Sequence, residues 1–155
     1  MAGWQGAQIM NAYLVFPLLT AAGVALVMQN LLMVRMTESV STVIITLVIN
    51  SAMGLALLLG TLLARNGWAG VSETIQAIRP WVVLPGLLGS FFVFAGIVGY
   101  QSVGASVTIA VLVASQLGTG LLADAYKAQT PPSALSLLGA ALLVAGAVLI
   151  LRGKG

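Results

Sequence analysis

Of 155 residues, 60% are hydrophobic and 6% charged, with six Lys and Arg against three Asp and Glu for a net charge of +3. A soluble chain of this size has too little interior to hide so much apolar surface, so the composition excludes a water-soluble globule and points to a bilayer. With no cysteine and no histidine, disulfides, thiolate or imidazole metal sites and a serine–histidine hydrolase are excluded, and no cofactor or metal is expected.

A helix needs about 20 apolar residues to cross a hydrocarbon core about 30 Å thick. Five runs reach that length, at about 10–34, 40–64, 80–100, 104–124 and 133–151. The chain therefore reads as one all-α integral membrane domain over 1–155 with five transmembrane helices. The first run has no basic segment before it and no cleavage motif, so it reads as retained rather than removed. Arg35 and Glu38 close the first turn, and Arg65 opens the longest loop. In that loop Trp68, Val71 and Ile75 fall on one side of an interfacial amphipathic turn. Arg79-Pro80-Trp81 starts the third span, with proline where no hydrogen bond is lost and tryptophan at headgroup level. Only Gln101-Ser102-Val103 separates spans three and four, which predicts an antiparallel hairpin with Tyr100 at the interface. Thr130-Pro131-Pro132-Ser133 ends the last loop, with Ser133 as helix cap.

The six basic residues divide evenly between the two sides. Arg65, Arg79 and Lys127 fall on face A with the N-terminus, and Arg35, Arg152 and Lys154 on face B with the C-terminus. An excess of basic residues in short loops fixes which face stays in the cytoplasm, so this tie leaves orientation nearly unspecified. One reading is dual insertion, in which two oppositely oriented copies form an inverted-repeat pair. The other is that one group, such as the N-terminal amine or Lys127, tips the balance to a single orientation. Spread over loop ends, the basic residues face lipid headgroups rather than nucleic acid.

Helices in lipid associate through small residues and polar groups. Span two carries Thr42, Thr46, Asn50 and Gly54 at steps of four, and span four carries Gly104, Thr108, Val111, Ser115 and Gly118 on one face with Gln116 beside it. Span one offers Thr20, Gly23, Val27 and Asn30 next to Gln29, and span three a glycine stripe from Gly86 to Gly96. A mid-bilayer amide must find a partner or a watery cavity, so Asn50 and Gln116 at mid-depth, with Gln29 and Asn30 nearer face B, are candidates for a polar chamber. The alternative is that they bond only between helices. The acids Glu38, Glu73 and Asp124 all lie near span ends or in a loop. Asp124 closes span four, where it faces the chamber mouth or pairs with Lys127 at the surface.

Several stretches together resemble the YdcZ family, small five-span members of the drug/metabolite transporter superfamily. They are Gln29 to Arg35, Asn50 to Gly54, Gly86 to Val93, Gly104-Ala105, Ser115-Gln116-Leu117, Leu122-Ala123-Asp124 and Gly139 to Gly146. The resemblance covers nearly the whole chain from about residue 14. It departs at Leu31 and Met33, where the family tends to have proline and asparagine, and at Ala125-Tyr126-Lys127. It implies a bacterial inner-membrane transporter acting as an antiparallel, dual-topology dimer of ten helices. The last span, with Gly139, Leu142, Leu143 and Gly146, is also similar to the dimerising helix of small multidrug resistance transporters. The buried glutamate with which those proteins exchange protons has no counterpart here.

Residues and resemblance together lead to a secondary transporter of a small polar metabolite or organic cation, working by alternating access in an antiparallel homodimer. Gln29, Asn30, Asn50, Thr108, Ser115 and Gln116 would line the route, and Gly139, Leu142, Leu143 and Gly146 would form the dimer contact. A dual-topology ion channel and a structural membrane subunit are the alternatives.

Overall fold

Glycine and threonine decide where these helices touch, because apolar side chains gain nothing by leaving lipid for one another. A computed structural model describes residues 12–153. The first residues of the expected first span and Lys154 lie outside the described residues. The helices are α1 (Ala12–Thr37), α2 (Val43–Gln76), α3 (Val83–Ser102), α4 (Ala105–Ala128) and α5 (Ala134–Arg152), with a 3-10 turn at Pro80–Val82 leading into α3. All five are long and apolar enough to cross a membrane.

Two boundaries differ from the expectation. The second helix does not stop at 64: it breaks at Gly67 (φ 59°, ψ −156°) and resumes through Gln76. Gly67 supplies a left-handed conformation that a side chain would oppose. Past this corner the chain folds so closely that a Cβ on Gly70 would stand 2.7 Å from Asn66 Cβ and 2.9 Å from Leu62 Cδ1. Trp68 and Ile75 on the resumed segment are exposed and Val71 is half-buried. The fourth helix runs one turn beyond 124 and ends at Gln129, whose φ is 52° and whose Nε2 donates to Tyr126 O at 2.7 Å. The expected α3–α4 hairpin is present. Val103 N and Gly104 N both donate to Gly99 O, and Gly104 turns the chain at φ 84°. Ser133 caps α5, accepting from Ser136 N at 3.1 Å.

α3 is the centre of the packing and touches α1, α2 and α4, while α4 packs most extensively against α5. Gly96 lies under the Asn30 side chain, so that a Cβ there would stand 3.0 Å from Oδ1. At Gly99 a Cβ would stand 2.6 Å from Thr108 Cγ2 and 2.8 Å from its Oγ1. α4 carries a half-buried stripe of Ala110, Ala114, Leu117, Leu121 and Ala125, and α5 answers with Ala140, Leu143 and the buried Ala147.

These contacts cluster at one end. The buried residues within the spans are Asn30, Met33, Thr46, Gly96, Ile97, Tyr100, Val107, Thr108 and Ala147. At 1.5 Å rise per residue each lies within ~11 Å of its helix's face B end. Gln101 Nε2 also donates to Thr37 Oγ1 at 2.6 Å across that end. Toward face A the glycines stand clear: Gly23, Gly54, Gly60, Gly86, Gly89, Gly118 and Gly120 have nothing within 4 Å of a built Cβ. At face B α1, α3 and α4 close into a tight layer, α4 and α5 stay packed along their length, and α1, α2 and α3 splay toward face A, with the α1–α2 groove open as far as Met36 at the face B surface. The chain accordingly exposes 12148 Å², against about 7,300 Å² for a compact soluble protein of its mass.

If Gly99 and Thr108 set the α3–α4 approach, Gly99→Ala lowers stability in detergent by about 1–3 kcal/mol through overpacking. Adding Thr108→Ala removes the clashing atoms and recovers most of that loss in thermal unfolding. A double variant no better than Gly99→Ala alone places the strain elsewhere.

Candidate functional site

An amide in lipid has unspent donors and acceptors, and the structure joins two of them. Gln29 Nε2 on α1 donates to Asn50 Oδ1 on α2 at 3.0 Å. Gln29 is six residues before Arg35 and Asn50 seven after Val43, so both lie ~9–10 Å below face B. Asn50 is therefore level with Gln29 in the face B half of the bilayer, not at the midplane beside Gln116 as its sequence position suggested. The pair sits part way along a groove between α1 and α2 that runs from Met36 to Met53.

Three open grooves meet at this pair. One, about 430 Å³ between α2 and α3, is lined by Asn50, Ser51, Gly54, Gly86, Gly89 and Ser90 among others. A second, about 490 Å³ between α1 and α2, carries Gln29, Asn50, Met28, Met33, Met36 and Met53. The third, about 610 Å³, runs along α2 from Gln29 and Asn50 to Leu58. None of the three contains a charged residue.

The remaining candidates lie elsewhere. Asn30 faces α3 rather than Gln29's grooves; it is buried over Gly96, and its Nδ2 donates to Leu26 O at 3.0 Å. Thr108 is buried against Gly99, and its hydroxyl donates to Gly104 O at 2.8 Å. Ser115 Oγ donates to Leu112 O at 2.8 Å, the local bond that a helical hydroxyl takes when no partner offers. Ser115 and Gln116 are exposed, and at ten and eleven residues past Ala105 they lie ~15–17 Å deep, near the midplane. Neither residue lines the grooves at Asn50, nor does Thr108. One chain thus brings Gln29 and Asn50 together and leaves the other four apart from them.

Asp124 lines a small cleft with Thr130, Pro131, Pro132 and Ser136 at the face A end of α4. It forms no ion pair with Lys127, contrary to the surface pairing expected from their spacing. Both are exposed, and an attraction of under about 1 kcal/mol does not hold two mobile side chains together in water. On α5, Gly139 and Gly146 have nothing within 4 Å of a built Cβ and Leu142 is exposed, whereas Leu143 is half-buried on the side of Ala140 and Ala147.

Two features escaped the sequence reading. Thr46 Oγ1 is the buried side-chain polar atom without a hydrogen-bond partner among the described residues. It lies one turn from Asn50 on the stripe the sequence does show. The second is that all four methionines of the described residues line one groove. Their signal was a methionine set beside a complete lack of cysteine.

A model of the family described as "Putative inner membrane exporter, YdcZ" matches residues 14–149 of the chain. The inner membrane protein YdcZ of Escherichia coli (strain K12) is 50% identical over 146 residues, a match covering 92% of this chain and 98% of that protein. No solved structure matches the chain.

A double-mutant cycle on Gln29→Leu and Asn50→Leu is expected to give a coupling of about 0.5–1.5 kcal/mol, the range of interhelical hydrogen bonds in membranes. Zero coupling in detergent unfolding means the pair does not hold α1 to α2. Thr46→Val keeps the shape and removes an unsatisfied hydroxyl whose burial costs about 1–3 kcal/mol. It is expected to leave stability unchanged or raise it, and a clear loss in the same assay shows that the hydroxyl has a partner in solution.

Proposed function

The chain belongs to the YdcZ family of inner-membrane transport proteins, and we propose that it is a secondary transporter of a small polar metabolite or organic cation, working as an antiparallel homodimer. It is a multi-pass protein of the bacterial inner membrane, in a family of transporters rather than enzymes. The observation that supports the finer reading is the amide pair between α1 and α2, where grooves of uncharged described residues meet in a chain packed tightly at face B and open toward face A. A single site reached from one side at a time is the requirement of alternating access.

Antiparallel pairing supplies what one chain lacks. In an inverted copy the tight α1–α3–α4 packing lies at the opposite face, so the pair is tightly packed on each side. An amide pair ~10 Å from face B in one copy is ~10 Å from face A in the other, and Ser115 and Gln116 of both copies fall near the shared midplane. Exchange of conformations between the copies then turns an inward-open state into an outward-open one of the same energy. The even division of basic residues supports this arrangement. So does the free edge of α5 at Gly139, Leu142 and Gly146, beside Leu143. Asn30 and Thr108 contribute by holding the closed layer. Lining by neutral amides and hydroxyls suits a weakly held polar or singly cationic solute better than a metal ion.

The test is transport by the purified single chain in liposomes, with metabolites and quaternary amines screened as substrates. Asn50→Ala and Gln116→Ala are each expected to cut the initial rate at least tenfold at equal protein per vesicle. Wild-type rates in both overturn the site. Reporters that work only in the cytoplasm or only outside it, fused to the C-terminus, are expected to be active in comparable amounts. Activity of one alone overturns the homodimer.

A further inference from the structure

Met28, Met33, Met36 and Met53 are the methionines of the described residues, and all four line the 490 Å³ groove between α1 and α2. Thioether side chains are flexible and polarisable, adapt to ligands of varied shape, and favour aromatic rings. Counted from face B, Met36 lies at the surface, Met33 ~3 Å, Met28 ~10 Å and Met53 ~15 Å deep. The four sulfurs are strung along the slot and do not converge on one ion, so a soft metal site is not what they build. Their spread matches an extended organic molecule, and the volume lies within the usual range for ligand sites, about 300–1,000 Å³.

The slot has one polar point. Gln29 and Asn50 both line it and spend one donor and one acceptor on each other. One carbonyl oxygen and one NH₂ group remain, and this holds whichever way the two amides are turned. A ligand that offers both a donor and an acceptor, as a primary or secondary amide, lactam or urea does, can pair with both groups. Among the described residues no charged side chain lines the slot, so a cationic or anionic head would be held there without a counter-charge. We infer that the slot binds a neutral amphipathic molecule, its aromatic or alkyl body on the methionines and its amide-type head on Gln29 and Asn50. This narrows the substrate class of the proposed transporter and rests on that reading only for the step of transport, not for binding.

The probe is 1-naphthamide, compared with methyl 1-naphthoate, which lacks the N–H donor, and with a naphthylmethyl-trimethylammonium salt. With full-length protein in lipid nanodiscs, peroxide oxidation of each methionine is followed by mass spectrometry as probe is added. The amide is expected to protect Met28 and Met53, with half-protection at a concentration about tenfold below that of either comparator, as one lost hydrogen bond of about 1.4 kcal/mol requires. Asn50→Leu and, separately, Gln29→Leu are expected to erase that difference while leaving the ester's protection in place. Equal protection by all three compounds, or no protection, overturns the inference. Flux of labelled amide in proteoliposomes is then measured apart from binding. Selective protection without flux sustains the slot and sinks the transporter reading, and flux of other solutes without amide protection does the reverse.

Discussion

Closeness of approach along α3 governs this molecule. Apolar contact between helices earns little in a solvent of hydrocarbon, so stability has to come from backbones near enough for dispersion and weak polar contacts to accumulate. Gly96 and Gly99 provide that nearness, one under Asn30 of α1 and the other under Thr108 of α4. Ile97, between them in sequence, and Tyr100, directly after Gly99, are buried and fill the same layer. Asn30 Oδ1 stands where a Cβ on Gly96 would meet it. That geometry aims a Cα–H at a carbonyl oxygen, a contact that recurs where helices pack closely. The same residue type further along α3 does the opposite: Gly86 and Gly89 face an open groove. One glycine stripe is thus tight at one end and empty at the other, and the vestibule follows from that difference.

The number of helices, their approximate limits and the short α3–α4 turn were legible because lipid leaves few choices. Every backbone group must be satisfied within its own segment, so a long apolar run is a helix. The break at Gly67 was not legible. A glycine among polar residues marks a loop as readily as a corner between helices, and only the close approach of Gly70 to Leu62 distinguishes the two. The candidate site was legible in kind but not in grouping. Gln29 and Asn30 are neighbours in sequence, and a rotation of about 100° per residue sends one to α2 and the other to α3. Asn50 looked central because its span was expected to start at about 40, whereas α2 starts at Val43. Measured from Val43, it is level with Gln29.

Polar groups in this chain are rationed by depth. Charged side chains are confined to helix ends and connections, where water and headgroups meet them. Gln29 and Asn50 lie one level inward and partner each other across a helix pair, Asn30 turns to Leu26 O of its own helix, and Gln116 is exposed near the midplane. Several hydroxyls are satisfied by their own helix, as in Thr20 with Phe16 O, Thr61 with Leu57 O and Ser115 with Leu112 O. Such bonds cost the helix little, and in the proposed transporter they would leave a side chain able to exchange its partner for a solute. A route of that kind would hold a solute by neutral hydrogen bonds, which favours turnover over affinity.

Burial confined to one end also bears on how such a chain can move. A layer held by Gly96, Gly99, Asn30 and Thr108 is packed too closely to deform gradually, and packed layers change by switching between arrangements. The splayed ends toward face A carry glycines with free space around them and can close without displacing side chains. Motion should then concentrate in the face A halves of α2 and α3, with the face B layer as the pivot. Pro85 lines the α2–α3 groove near the start of α3, a place where a proline costs the helix little while it shapes the mouth. Under the proposed antiparallel pairing, a chain tightly packed at one end and open at the other would supply half of a gate and its inverted copy the other half.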